Sequence, residues 1–423
     1  MVLTLFGLFI ALFLLNVPIG VALGISTILV LMGTDFTLYM IPQRMFSALD
    51  STPLMAIPGF VFAGVLMSRG GISKYLISAL KTYVGHLRGG LSVVTILACM
   101  IFAAISGSSP ATAAAIGSIM IPGMVNAGYD KAYAMGLVAA SGTLGILIPP
   151  SVPLIVYGVV AEESIGKLFM AGVLPGILLG TILVTAAILY AKKHNYGGDS
   201  KATWKERGQA TVKAIWGAVL PFLILGSIYT GICTPTEAAV VACFYTIIVS
   251  AFIYRELTWK DIRPILRETV NITSMIFLII ASAMLFALFL TNHQVPQSVA
   301  NWISEANVNK WVFFLLTNLM FFVMGTFLEA VSIILITLPI FLPIVKYMGI
   351  DPVHFAIVMT VNMELAMITP PVGLNLFVVS GIAKEPLERV VRGVIPFILL
   401  LICVLALLVI FPDISLYLPS LMD

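Results

Sequence analysis

Four stretches of this sequence place hydroxyl, glycine or proline residues inside otherwise apolar runs. They are Ser106-Gly107-Ser108-Ser109-Pro110-Ala111-Thr112, Gly142 through Ser151 with Pro149 and Pro150, Gly325-Thr326-Phe327-Leu328-Glu329, and Thr369-Pro370-Pro371-Val372-Gly373-Leu374-Asn375. Proline has no amide donor and breaks the helical ladder. Free carbonyls are then left beside Ser and Thr hydroxyls. Such oxygens are hard ligands suited to a dehydrated alkali cation. In hydrocarbon they are tolerated only where they line a cavity or are buried in protein. Helices restarting after such breaks present positive N-terminal ends, where an anion can sit. A lone kink or a hydroxyl bonded back to its own helix would be a purely structural feature. Four features at matched positions favour a binding site.

Three carboxylates fall in or near the apolar runs: Glu329, Glu364 and, nearer an end, Glu237 in ThrProThrGluAla. Ionisable groups inside a membrane are costly and tend to be functional. Each either binds a cation, carries a proton or accepts backbone amides, the last being favoured for Glu237. His86, His194, His293 and His354 sit near segment ends, where solvated or interfacial roles are the default. No Lys or Arg lies deep in any run, so an anionic substrate would need co-bound cations and helix N-termini for neutralisation. The first interruption and its neighbouring proline break hold no carboxylate and no His. A neutral oxygen cage coordinates Na⁺ but carries no proton, which favours Na⁺ as the coupling ion.

The elements that must position these residues belong to a membrane. The chain has 423 residues, 60% hydrophobic and 10% charged, with a mean hydropathy of +1.11. A soluble chain carries about 25% charged residues. The net charge of +3 resides mostly in loops, and no basic stripe points to nucleic acid. Cys99, Cys233, Cys243 and Cys403 are scattered through apolar runs and read as inert thiols. The first charge is Asp35, so the N-terminus reads as a retained membrane segment and not a cleaved signal. No phosphate-binding GxxxxGK[ST] loop occurs, which leaves a gradient to drive transport.

Apolar segments fall near 2–16, 18–33, 52–69, 131–160, 167–191, 213–231, 235–254, 268–292, 353–382 and 389–412, with interrupted stretches at 89–125 and 309–347. Amphipathic pieces at about 72–86 and 296–308 read as helices lying along the interface. A shift of 221 residues superposes Pro122 on Pro343, Gly128 on Gly349, Asp130 on Asp351, Pro149-Pro150 on Pro370-Pro371, Gly172 on Gly393 and Pro175 on Pro396. Two copies of one unit follow. The first covers 1–211, with scaffold helices 1–69, arm 70–88, hairpin 89–125, broken helix 131–160 and helix 167–191. The second covers 212–423, with scaffold helices 213–292, arm 296–308, hairpin 309–347, broken helix 353–382 and helix 389–412.

Basic loops 69–88, 192–213, 255–267 and 384–392 are expected on the cytoplasmic side. The tail, charged only at Asp413 and Asp423, is expected outside, as is the N-terminus. Hairpin 89–125 then enters and leaves from the cytoplasm and hairpin 309–347 from the opposite side, so the repeats are inverted. Residues 2–33 read either as one long helix or, preferably, as a tight pair turning at Asn16-Val17-Pro18. The expected fold is all-α, with about ten transmembrane helices, two re-entrant hairpins and two broken helices.

SerGlySerSerProAlaThr at 106–112, GlyThrLeuGlyIleLeuIleProPro at 142–150, ThrProProValGlyLeuAsn at 369–375 and ThrProThrGluAlaAla at 234–239 are similar to motifs of the large membrane subunit of tripartite ATP-independent periplasmic (TRAP) transporters. The resemblance covers essentially the whole chain. It implies an elevator-type transporter in a bacterial inner membrane, with a scaffold and a moving domain built from the hairpins and broken helices. It implies Na⁺ contacts at Ser106, Ser108, Gly142 and Gly145 in one half, and at Gly325, Thr326, Met367 and Pro370 in the other. Substrate contacts are implied at Ser108, Ser109, Thr112, Pro149, Pro150, Gly373 and Asn375. The implied partners are a periplasmic substrate-binding protein, a small four-helix membrane subunit expected as a separate chain, and an organic acid of the sialic acid or C4-dicarboxylate kind. No cofactor besides the coupling ion is expected. The alternatives are a stand-alone sodium/anion symporter and an intramembrane enzyme. The enzyme is disfavoured because no His or Asp stands at the depth of the buried Ser residues.

Overall fold

Several of the residues that recur at 221-residue spacing start and stop helices. In the computed structural model, which describes residues 1–34, 37, 39–198, 201–306 and 308–421, Gly128 and Gly349 both take positive φ, at +86° and +65°. That conformation is readily open to glycine. Asp130 then caps the next helix by accepting from the Tyr133 amide at 2.8 Å, and Asp351 accepts from the Val353 amide at 2.7 Å. Each is the N-cap that satisfies first-turn donors. Asp35 and Asp423 lie outside the described residues.

Among the described residues the chain is all helix, without strands. The N-terminal region holds α1 (Val2–Leu14), α2 (Ile19–Leu31), α3 (Met40–Leu49) and α4 (Ala56–Arg69). The arm α5 (Ile72–Val84) leads into the first hairpin, α6 (Gly90–Ser106) and α7 (Ser109–Asn126). The first broken helix is α8 (Lys131–Thr143), a 3₁₀ turn and α9 (Val152–Ala161), followed by α10 (Ile165–Lys193). The second half runs α11 (Trp204–Tyr229), α12 (Pro235–Ile248) and α13 (Trp259–Asn292), then arm α14 (Val295–Glu305) and hairpin α15 (Lys310–Gly325) with α16 (Ala330–Tyr347). Broken helix α17 (Pro352–Met367) and α18 (Leu374–Ala383), α19 (Leu387–Ile410) and the short α20 (Asp413–Leu416) complete it. The shift carries the bounds of α7 onto those of α16 at both ends.

Packing obeys the same symmetry. α2 lies on α13 while α12 lies on α4, α7 on α18 while α16 lies on α9, and α8 on α19 while α10 lies on α17. Glycines permit the closest approaches, as in other membrane helix pairs. A Cβ on Gly393 would collide with the Ala132 carbonyl, and one on Gly136 with the Gly393 carbonyl.

Some segments differ from the reading of hydropathy. Residues 2–33 form the pair α1 and α2, turning at Asn16 with φ +64°. Each has 13 residues, about 20 Å of helix, short of the roughly 30 Å of a hydrocarbon core. The amphipathic helix α3 falls between segments and was not anticipated. Seven helices among the described residues are long and apolar enough to cross a membrane. Most of the shorter apolar helices are members of the hairpins and broken helices. His354 is buried and not interfacial: its Nδ1 shares a hydrogen bond of 2.7 Å with Ser415 Oγ, pinning α20 to α17.

Candidate functional site

The hairpin tips and helix breaks meet at one place. In the first half, α6 ends at Gly107, φ +60°, and α7 restarts at Ser109. Ser106 Oγ lies 2.9 Å from Thr112 Oγ1, which donates to the Ser108 carbonyl at 2.8 Å. The break in α8–α9 closes over these oxygens. A Cβ on Gly145 would stand 2.5 Å from the Ser108 carbonyl oxygen and 2.7 Å from Thr112 Oγ1, and one on Gly142 would stand 2.8 Å from the Ala113 Cβ. Ser106, Ser108 and Thr112 therefore form one cluster of neutral oxygens, with Gly145 packed against it and Gly142 against the neighbouring Ala113. The Val152 amide then donates to the Gly107 carbonyl at 3.2 Å, tying the restarted α9 to the tip.

The second half repeats the tie with different chemistry. The Gly373 amide donates to the Thr326 carbonyl at 3.0 Å, and a Cβ on Gly325 would stand 2.5 Å from that of Ala366. The Thr326 hydroxyl is turned back to the Val323 carbonyl at 2.8 Å. Position 329, equivalent to Ser108 by the 221-residue shift, is Glu329, whose Oε1 is buried without a hydrogen-bond partner. Pro149 and Pro150 are buried, whereas Pro370 and Pro371 are exposed.

A cavity of about 400 Å³ joins the halves. It is lined by the starts of four helices: Ser109 and Pro110 of α7, Val152 and Pro153 of α9, Ala330 and Val331 of α16, and Leu374 of α18. Three of these starts, those of α7, α16 and α18, have no side-chain cap on their first-turn amides. The opposite wall is apolar, from Val61 of α4 and Ile272, Met275 and Ile276 of α13; the ionisable residues lining the cavity are Glu268 of α13 and, at the tip before α16, Glu329. A second cavity of about 410 Å³ lies between the Asn16–Pro18 turn, α13 and the tip Gly325–Glu329, sharing Met275, Glu329 and Leu374 with the first.

Ser108, Ser109 and Met367 border the first cavity, and Gly325 and Thr326 the second. Asn375 borders neither. It is fully buried and gives its amide hydrogens to Ser109 Oγ at 2.8 Å and the Ala139 carbonyl at 3.0 Å, linking second-half α18 to first-half α7 and α8. Glu237 is not a mid-depth group. It is exposed and accepts from the Thr234 amide at 2.8 Å in a capping box at the start of α12. Glu364 is fully buried in α17, outside both cavity linings.

Two features went unread in the sequence. Glu268 pairs with Arg69 at 2.8 Å beside the cavity; its signal was an acid opening an apolar segment just after a basic loop. Asn362 Nδ2 donates to Asn318 Oδ1 at 2.8 Å, fastening α17 to α15; two amides inside apolar runs were the available clue.

Residues 6–414 match the family model described as the tripartite ATP-independent periplasmic transporter, DctM component. The chain is 44% identical over 400 residues to the C4-dicarboxylate TRAP transporter large permease protein DctM of Pseudomonas aeruginosa, covering 94% of each. It is 37% identical to the sialic acid TRAP transporter large permease protein SiaM of Vibrio cholerae, over 96% of this chain and 95% of that one. In fold it is similar to the YdaH transporter of Alcanivorax borkumensis, with a TM-score of 0.60 at 14% identity over 87% of this chain and 88% of that one. The all-α architecture of hairpins and broken helices is thus that of a transporter. The chain belongs to the tripartite ATP-independent periplasmic transporter family, as its DctM component, the large permease.

Proposed function

We propose that this chain is the permease subunit of a sodium-driven importer of an organic acid, of the C4-dicarboxylate or sialic acid kind, delivered by a periplasmic binding protein. The observation that carries this reading is the convergence of four helix N-termini on one cavity whose lining includes no Lys or Arg. Partial positive charge at a helix start favours anions. In a cavity without basic side chains, a carboxylate substrate needs further neutralisation, and Na⁺ bound beside it supplies that charge. The Ser106–Ser108–Thr112 cluster under Gly145 holds one ion. Carbonyls around Gly325, Thr326, Met367 and Pro370 hold another. Ser108 and Ser109 meet the substrate from the first tip, and Gly373 shapes the second restart.

Movement of the hairpins and broken helices as one body against α2, α4, α12 and α13 would carry the cavity across the membrane. The apolar wall of α4 and α13 suits sliding, because it holds few polar partners to break. Arg69 and Glu268 lie beside basic loops 69–88 and 255–267, so their end of the cavity faces the cytoplasm. Both termini are outside, the membrane is the bacterial inner membrane, and a small membrane subunit completes the assembly. The protein performs transport and no covalent chemistry.

The test is uptake of labelled succinate and sialic acid into proteoliposomes holding this chain and its small subunit, with and without the matched binding protein. Uptake of one acid that requires both Na⁺ and the binding protein supports the reading. Uptake by this chain without any soluble protein would instead support a stand-alone symporter.

A further inference from the structure

We propose that Glu364 is a proton-binding site inside the moving domain, so that transport depends on a proton in addition to the anion and cation sites. This rests on the transporter reading above. Glu364 is fully buried, and neither carboxyl oxygen has a hydrogen-bond partner. At the equivalent place in the first half stands Thr143, whose hydroxyl bonds to the Ala140 carbonyl at 2.7 Å within its own helix. The second half thus carries an acid where the first carries a self-satisfied hydroxyl.

Neighbouring residues fix the side of α17 on which Glu364 lies. Asn362 reaches Asn318 of α15, and the Ala366 Cβ abuts Gly325 at the end of α15. At about 100° per residue, Glu364, two positions from each, lies on the opposite side. Besides α15, α17 packs on α8, the 3₁₀ turn that follows it, α9, α10, α16, α18, α19 and α20. One turn away on its own helix are Thr360, Val361, Met367 and Ile368, and the Thr360 hydroxyl is committed to the Ala356 carbonyl at 2.7 Å.

Charged groups on the packed elements stand at helix ends. They are Lys131 in α8, Lys167, Lys192 and Lys193 in α10, Lys310 in α15, Lys346 in α16, Glu388, Arg389 and Arg392 in α19 and Asp413 in α20, with His354 in the first turn of α17 itself. α9 contributes Tyr157, whose hydroxyl donates to the Pro352 carbonyl, and α18 has no titratable group. The other mid-depth acid is Glu329, at the cavity wall. No cation therefore stands against Glu364.

An ionised carboxylate without partner or donor in such a place is strongly disfavoured. A metal ion needs several oxygen ligands, and the one side-chain oxygen of the neighbouring turn, Thr360 Oγ1, is already committed. A proton neutralises the group alone: the carboxylate takes one H⁺ to become the neutral acid, with no other reactant. The packing shown admits that neutral form, and the cycle stalls when the acid ionises.

The experiment compares uptake across pH at a fixed Na⁺ gradient in proteoliposomes carrying the full assembly. Uptake by the unmodified protein should fall on raising pH, about tenfold per unit once the acid ionises. Glu364→Gln, permanently neutral, should match it at acidic pH and lose the alkaline fall, with Na⁺ activation unchanged. An alkaline fall that persists in Glu364→Gln, uptake by that variant lost at all pH values in a folded protein, or a flat profile in the unmodified protein would each overturn the proposal. Should the Gln variant not fold, Glu364→Thr takes its place with the same expectations. Infrared spectra of the unmodified protein should then show a carboxylic-acid band that bleaches as pH rises; its absence would also overturn the proposal. Missing Na⁺ dependence in the unmodified protein would count against sodium coupling and leave the proton site standing.

Discussion

The two halves share helix bounds, proline pairs and backbone ties, yet they differ at the residues aimed inward. In the first half the tip is a neutral oxygen cluster closed by Gly145. At the equivalent positions the second half has Glu329 for Ser108, Ala366 for Gly145, Glu364 for Thr143 and Asn375 for Leu154. One duplicated frame therefore supports two chemistries. The first half is a tight, uncharged cage suited to an alkali ion. The second carries the ionisable groups and, through Asn375, the side-chain hydrogen bonds from α18 to the first half.

The largest effect expected from breaking this contrast is at Gly145. Gly145→Ala places a methyl 2.5 Å from the Ser108 carbonyl oxygen, so the cage oxygens must move. Na⁺ half-saturation for uptake should rise more than about tenfold, equivalent to some 1.4 kcal/mol. Ala366→Gly at the matching position should cost only helix propensity and a small void, about 1 kcal/mol of stability, with Na⁺ dependence little changed. Equal effects would remove the distinction between the halves.

Next in size is Asn375→Leu, which installs the residue of the first half. It removes two buried hydrogen bonds between the halves and should lower stability by about 1–3 kcal/mol, read as the thermal midpoint in detergent. Ser106→Ala should raise Na⁺ half-saturation several-fold, because Ser106 Oγ faces Thr112 Oγ1 at 2.9 Å within the cage. Thr326→Ala should change it less, since that hydroxyl bonds back to its own helix. Titrating Na⁺ in both variants ranks them, and a larger effect at Thr326 would invert the assignment.

The smallest effect concerns a link between the two halves at helix ends. Glu385 accepts from Lys131 at 2.6 Å and from Arg389 at 3.1 Å; the Lys131 bond, foremost, holds its carboxyl below the usual carboxylate range. A lowered carboxylate adds stability above its unfolded value of about 4.3, and that stability is lost as pH falls through the folded value. Glu385→Gln should therefore narrow the loss of thermal midpoint below about pH 4.3 and lower the midpoint slightly at neutral pH, as measured by pH-scanned melting.

Much of the frame was legible because proline, glycine and capping Asp residues act locally. Gly128, Gly349, Asp130 and Asp351 punctuate helices through their own backbone or side chain, so their 221-residue recurrence exposed the duplication. The pairing of the first tip with the 142–151 break followed from hydroxyls and breaks at matched places, while Ser106, Ser108 and Gly145 were singled out by the family resemblance. What stayed hidden depends on tertiary neighbours. Asn375 looks like a ligand in a ThrProProValGlyLeuAsn string, but α7 and α8 absorb its amide. Glu237 was legible by contrast: read near a segment end as an acceptor of backbone amides, it takes the Thr234 amide in a capping box. The pairing of Arg69 with Glu268 joins residues 199 positions apart, which no local pattern announces.

The most direct measurement of the central claim is anion uptake by the complete assembly with Na⁺ replaced by choline, using the unmodified chain and Gly145→Ala side by side. The account predicts that choline abolishes uptake by the unmodified chain, and that raised Na⁺ partly restores the variant. Undiminished uptake in choline would contradict it.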